Sequence, residues 1–352
     1  MLSAHLAIAL SITFLQDPPL DRAWKADLND IILGTPAIHE SLVIVASKKG
    51  RVAAFRIDTG KPEWTTEAKE SVISNLVLLK DDLYVPAGAE SVVMDPLSGK
   101  IKKVRCPEAF RAVPGGSKIY LLGGLKFETA YNLDSSTMVI CLDPLTGKGA
   151  WKKDFGPLGI GSLVESGGRN YLAGQYQVYV QDAKTGQVLG QADRTTPGVA
   201  FHGVAGKDRV VFLGINGAAA CYDLKKLKEL WSWKFKPDSG LGIISPLIMG
   251  DKVILFLLPN VVTLDLKTGK EGWKQKVDGA TEFSQHPPAV RGKEVWVGAN
   301  GKLFAIDHET GKVEWTMEVV KWDGASPTPQ PAWSGDRLLY ACGKTLHCLK
   351  AR

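Results

Sequence analysis

The chain has 352 residues, with 43 lysines and arginines against 37 aspartates and glutamates, a formal net charge of +6, and 45% apolar residues. The basic excess is spread along the chain and forms no block, which argues against a dedicated nucleic-acid binder. Five cysteines, an odd number with no Cys-x-x-Cys and no adjacent pair, argue against a disulfide framework and a zinc site.

In chain order, the first feature is the apolar stretch Leu6-Ala7-Ile8-Ala9-Leu10, continuing to Leu15. It is too short to span a bilayer and ends at Gln16-Asp17-Pro18-Pro19, so residues 1–16 read as a secretory signal peptide and 17–352 as one domain. No lysine or arginine precedes it, and no cysteine stands at its end for lipid attachment. Next comes Trp24-Lys25-Ala26-Asp27-Leu28, a tryptophan-bearing segment with no unit of its own.

From there a unit of about forty residues recurs. Each copy holds a tight turn followed by a β-rich strand. These turns are Glu40-Ser41, Asp81-Asp82, Gly115-Gly116, Gly167-Gly168, Gly206-Lys207, Gly250-Asp251, Gly292-Lys293 and Gly335-Asp336. All but the last unit then carry a second phrase. Its clearest forms are Asp143-Pro144-Leu145-Thr146-Gly147-Lys148 before Trp151, Asp265-Leu266-Lys267-Thr268-Gly269-Lys270 before Trp273, and Asp307-His308-Glu309-Thr310-Gly311-Lys312 before Trp315. Weaker copies centre on Gly60, Gly99, Gly186 and Leu227.

The phrase has a physical reading. A strand such as Met138-Val139-Ile140-Cys141-Leu142 leads into it. The aspartate accepts from amides a few residues on, and the glycine supplies a positive φ. The tryptophan that follows opens an outer strand and suits docking between neighbouring sheets, burying roughly 150 Å² or more. Trp64, Trp151, Trp231, Trp273 and Trp315 fill this place, whereas Lys103 and Gly190 do not, so the latter two units are expected to be less tightly pinned.

Eight turn-plus-strand markers against seven phrases imply a last unit that stops short, after Leu346-His347-Cys348-Leu349-Lys350. Its missing outer strand is expected from the segment around Trp24, which would close a ring and leave no free sheet edge. The predicted fold is all-β, an eight-bladed β-propeller of four-stranded antiparallel blades. Seven blades is the alternative, if the second unit is degenerate.

The Asp-x-x-Thr-Gly-Lys-x-x-Trp phrases, with the inner-strand starts Thr35-Pro36 and Ser245-Pro246, resemble the repeat of the pyrroloquinoline quinone (PQQ) type of propeller. That superfamily includes the quinoprotein alcohol dehydrogenases and the non-enzymatic outer-membrane-assembly factor BamB. An enzyme of this type would imply PQQ in the central channel, a Ca²⁺ ion beside it and an aspartate base. The adjacent-cysteine disulfide and the long insertions common in those enzymes are missing here. The six histidines show no pair at ligand spacing, and the Gly-Gly doublets are hairpin turns because no helix follows them.

Two places are candidates for binding. One is the insertion Gly124–Asp134 in the third unit, which carries Phe127 and Tyr131 and would project on the face of the interblade loops. The other is a ring of residues at inner-strand starts, Asn75, Arg111, His202, Gln285, His286 and Gln330, with Trp322 in a loop on the same face. The resemblance implies an exported, monomeric, non-catalytic scaffold without cofactor, binding another envelope protein. A PQQ-dependent oxidoreductase or a small-ligand sensor is the alternative.

Overall fold

The computed structural model describes residues 20–68, 71–72, 75–79, 81–87, 91–104, 111–115, 118–124, 137–143, 148–156, 159–195, 200–214, 217–235, 244–278, 280, 287–319 and 330–352. Among these are 32 β-strands and no helix, assembled into eight four-stranded antiparallel sheets. Blades 1 to 7 are consecutive meanders over residues 32–67, 77–104, 111–154, 162–193, 200–234, 247–276 and 289–318. The second unit is a full blade despite its short strands, so the seven-blade alternative falls away. Blade 8 takes three strands from 330–351 and its outer strand, Leu20–Asp27, from the other end of the sequence. That strand pairs with the third through Trp24↔Cys348, Lys25↔His347 and Ala26↔Leu346.

The middle strands of each blade are buried on both faces and therefore read as continuous apolar runs, as Leu42–Ser47 does. Side chains of one strand alternate between two seams. Ile44 packs with Leu83 and Met94 between blades 1 and 2, while Val43 and Val45 pack with Leu339 and Leu346 between blades 8 and 1. Every seam holds such a cluster, so the core is divided among eight interfaces and the circle is closed.

The repeated phrase is the fastener. Asp182 accepts from the amide of Thr185 at 2.7 Å and from its hydroxyl at 2.8 Å, and Asp265 and Asp307 make the same turn. Those amide and hydroxyl donors hold the Asp182 carboxyl below the usual carboxylate range. Past the turn, the ladder between third and outer strands slips at one conserved place, for example Ala54/Phe55, Cys141/Leu142 and Ala305/Ile306. Such a bulge adds twist and swings the following tryptophan toward the next blade.

Five tryptophans then dock in the same way. Nε1 of Trp24, Trp64, Trp151, Trp231 and Trp273 donates to the carbonyls of Ile57, Pro96, Ala183, Leu266 and His308, at 2.9 to 3.1 Å. Each indole lies on the phrase glycine of the next blade. A Cβ at Gly60, Gly99, Gly186, Gly269 or Gly311 would come within 2.5 to 2.6 Å of the ring. Glycine is needed there for positive φ and for space at once.

Three seams depart from the pattern. Trp315 was expected to dock like the others, but blade 8 ends in Lys350-Ala351 with no phrase to receive it. Its Nε1 donates instead to Glu294 within blade 7, at 3.1 Å, and Trp296 donates to the same carboxylate at 3.0 Å. Between blades 4 and 5, Gly190 replaces the tryptophan and Leu227 replaces the glycine, with φ 50 and 9% exposure. The carbonyl that an indole would have capped, that of Leu224, accepts from Tyr171 at 2.8 Å. That seam is pinned by other means, against the expectation drawn from Gly190. The third exception is the seam between blades 2 and 3, where the sequence has Lys103 at the tryptophan position and residues 144–147, including Gly147, lie outside the described residues.

Candidate functional site at the channel rim

In a four-stranded meander the turns alternate between two faces. The first hairpins and the Asp–Gly phrases share one face, and the second hairpins share the other with the interblade connections. Equivalent inner-strand positions can be fixed by register. The third residue of each second strand pairs with Ala37, Val77, Val113, Val164, Val204, Leu247, Ala289 and Ala332 in turn. Two residues earlier, toward the interblade face, stand Thr35, Asn75, Arg111, Ser162, His202, Ser245, Pro287 and Gln330.

Four of the sequence candidates, Asn75, Arg111, His202 and Gln330, therefore share one level of the ring. For Arg111 and Gln330 only the backbone position is described. Gln285 and His286 lie outside the described residues, and the register gives blade 7's position to Pro287 instead. Phe127, Tyr131 and Trp322 are also outside the described residues, as are residues 1–16. Sequence reasoning placed Thr35 and Ser245 at inner-strand starts without counting them among the rim candidates, and it missed Ser162. Counting back from the second-strand turns would have found them.

Neighbouring rim groups bond to each other across blades. The amide of Thr35 donates to Oδ1 of Asn75 at 3.0 Å, and a Cβ on Gly34 would meet that same oxygen at 2.5 Å. Nδ1 of His202 and Oγ of Ser245 are 2.8 Å apart. None of the described rim side chains is a carboxylate, lysine or arginine, and those that bond do so as hydrogen-bond donors and acceptors.

The connection that leads to His202 is tied down first. Arg194, 6% exposed, donates to the carbonyl of Gly174 at 2.5 Å. Burial lowers its affinity for the proton, opposed by Tyr222 and Glu229. Thr195 bonds to Glu229 through its hydroxyl and through its amide at 3.2 Å, and the Tyr222 phenol donates to Glu229 at 2.9 Å. Blade 4's exit is thus fastened to blade 5 before the chain turns inward.

The described cysteines are structural. Cys141, Cys221 and Cys348 pair in register with Trp151, Trp231 and Trp24. A small side chain opposite the indole lets it lean over the strand, which is the place Ala54 and Ala305 take elsewhere. Burial pushes the Cys221 thiol up to about 12 and the Cys342 thiol up to about 11. His347 is 3% exposed with neither ring nitrogen partnered.

Among the described residues, no group of three or more His, Cys, Asp and Glu side chains is placed to hold a metal ion, and no helix is long and apolar enough to cross a membrane.

The sequence matches the family described as outer membrane protein assembly factor BamB over residues 19–102 and 216–352, more than half of the chain. The intervening stretch contains Lys103, the third-unit insertion and Gly190, where the repeat departs most from its own pattern. No curated protein sequence matches the chain. Among solved structures, BamB from Moraxella catarrhalis superposes with a TM-score of 0.67 at 15% identity, over 94% of this chain and 97% of that one. The computationally designed protein Ika8 gives 0.71 at 14% identity, over 92% and 97%. A quinohemoprotein alcohol dehydrogenase from Pseudomonas putida HK5 gives 0.72 at 11% identity, over 95% of this chain and 76% of that one. At such identities the structural likeness carries the fold alone: an eight-bladed β-propeller with PQQ-like repeats. The family match rests on sequence and goes further: the chain belongs to the family of the outer membrane protein assembly factor BamB.

Proposed function

We propose that this protein is a non-catalytic scaffold of the cell envelope, exported by the apolar segment before residue 16, that holds another envelope protein on its interblade face. The single observation that carries the reading is the family match over residues 19–102 and 216–352. The rim is consistent with it. Asn75 bonds the Thr35 amide and His202 bonds Ser245, so these groups brace neighbouring blades.

The second reading, a quinoprotein oxidoreductase, is favoured by the likeness to the quinohemoprotein dehydrogenase. It would need PQQ and a calcium ion. Calcium asks for several carboxylate and carbonyl oxygens. The described rim positions Thr35, Asn75, Ser162, His202, Ser245 and Pro287 supply no carboxylate. Those six positions therefore offer a calcium ion no charged ligand, which favours the scaffold reading.

Partner contact is assigned to the third-unit insertion with Phe127 and Tyr131, and to the rim with Arg111, His202, Gln285, His286 and Trp322. The test is crosslinking in intact envelopes followed by affinity capture of the full chain. A defined partner should be recovered from the wild type and reduced at least tenfold by Phe127→Ala with Tyr131→Ala. Recovery of nothing above background, or equal recovery with the double variant, overturns the reading.

A further inference from the structure

Blade 8 closes the ring with a strand from the far end of the sequence, and two side chains in that sheet, Trp333 and His347, have no hydrogen-bonded polar atom; only the histidine can take up a proton. His347 stands opposite Tyr340 in the second strand and opposite Lys25 in the closing strand. It is 3% exposed, stacks on the Tyr340 ring at 4.7 Å with 7° between planes, and has no partner for Nδ1 or Nε2.

Among the described residues, the charged groups that act on it are both cations, Arg22 and Lys25, and both come from the closing strand. From the second strand it meets only the Tyr340 phenol. Across the seam, blade 7 contributes Trp296, Leu303, Ala305, Trp315 and Met317 to the cluster that contains Tyr340. The blade 7 carboxylates are engaged elsewhere, Glu294 by two indoles and Glu318 by Lys302 at 3.5 Å. A neutral imidazole here leaves one donor and one acceptor unmet. An imidazolium would leave two donors unmet and add a buried charge close to two exposed cations.

We propose that His347 is an acid-sensitive latch on ring closure, whose protonation releases the closing strand Leu20–Asp27 from blade 8. Relief comes most cheaply by that route. Detaching this one strand carries away both cations and opens the imidazole to water, while the other seven blades keep all their strands. The device regulates closure of the ring and does not depend on what the interblade face binds.

The direction follows from linkage. Burial, and then repulsion from Arg22 and Lys25, pushes the ring down to about 4 from its ordinary 6.5. Above 6.5 the imidazole is neutral in both forms and closure is at full strength. As pH falls below 6.5 the detached form takes up the proton first, and closure weakens until pH reaches about 4. At about pH 5 this amounts to roughly a 30-fold loss in the closing equilibrium.

The test is hydrogen exchange of the full-length protein, corrected for intrinsic rates, comparing residues 20–27 with Glu271–Lys276, the outer strand of blade 6. Relative protection of 20–27 should fall about 20-fold between pH 7 and pH 5 in the wild type and stay level in His347→Phe. Should that variant not fold, Arg22→Gln with Lys25→Gln keeps the histidine and should make the fall smaller. A level profile in the wild type, an equal fall in His347→Phe, or an unchanged fall in the double variant overturns the proposal.

Discussion

The Tyr171 hydroxyl donates to the carbonyl of Leu224 at 2.8 Å, from one blade to the next. In five other seams an indole makes that bond to the equivalent carbonyl. Three substitutions have moved together here: the tryptophan became Gly190, the receiving glycine became Leu227, and a tyrosine in the second strand took over the donor's role. Leu227 fills the space that an indole would occupy, in the cluster with Val180 and Tyr222.

Tyr171→Phe should destabilise the protein by about 1–3 kcal/mol, because the buried carbonyl of Leu224 loses its donor. Gly190→Trp alone should also destabilise, by about 1–3 kcal/mol, since the indole would meet Leu227. Adding Leu227→Gly to Gly190→Trp should give less loss than the sum of the single variants. A double-mutant cycle from denaturant unfolding checks the sign of that coupling.

A receiving glycine and an open turn glycine make a graded comparison. Gly250 has φ +60 and nothing within 4 Å of an added Cβ, so Gly250→Ala should cost only the backbone penalty of about 1–2 kcal/mol. Gly269 has φ +71, and its Cβ would come 2.6 Å from Trp231. Gly269→Ala should cost about 2 kcal/mol more than Gly250→Ala, because the indole must undock. Equal costs in thermal unfolding would mean that the docked tryptophans contribute little.

Glu294 holds the one seam in which a tryptophan faces no phrase. Glu294→Ala leaves the indole N–H groups of Trp296 and Trp315 without an acceptor and should cost about 2–4 kcal/mol. Glu294→Gln keeps an acceptor oxygen and should cost less than half as much. Chemical denaturation of the two variants separates these outcomes.

The four described thiols should be inert in the folded protein. Cys141, Cys221, Cys342 and Cys348 are buried and free, and burial raises each above the ordinary thiol value. Thiolate is the reactive form, so alkylation mapped by mass spectrometry should label these positions only after unfolding. Labelling of Cys221 under native conditions would contradict the packing against Trp231.

Much of this architecture is legible in the sequence because the fastener is local. Asp265, Thr268, Gly269 and Trp273 lie within one turn and the strand after it, so their spacing survives as a phrase. The closing strand was legible for the same reason, since Trp24 carries the mark of an outer strand. What could not be read depends on partners distant in sequence. Tyr171 lies 53 positions from Leu224, and nothing around it marks it as a tryptophan's substitute. Glu294 looks like an ordinary strand residue until two indoles converge on it. At the rim, His202 was found from its place at an inner-strand start, whereas Ser245, its bonded neighbour, was read as a strand start with no binding role.

Calorimetric titration of the full-length protein with PQQ in the presence of Ca²⁺ tests the central claim, that this propeller is a scaffold and not a quinone enzyme, most directly. The account predicts no saturable uptake at micromolar quinone. Stoichiometric binding, with oxidation of an alcohol by an artificial acceptor, would contradict it.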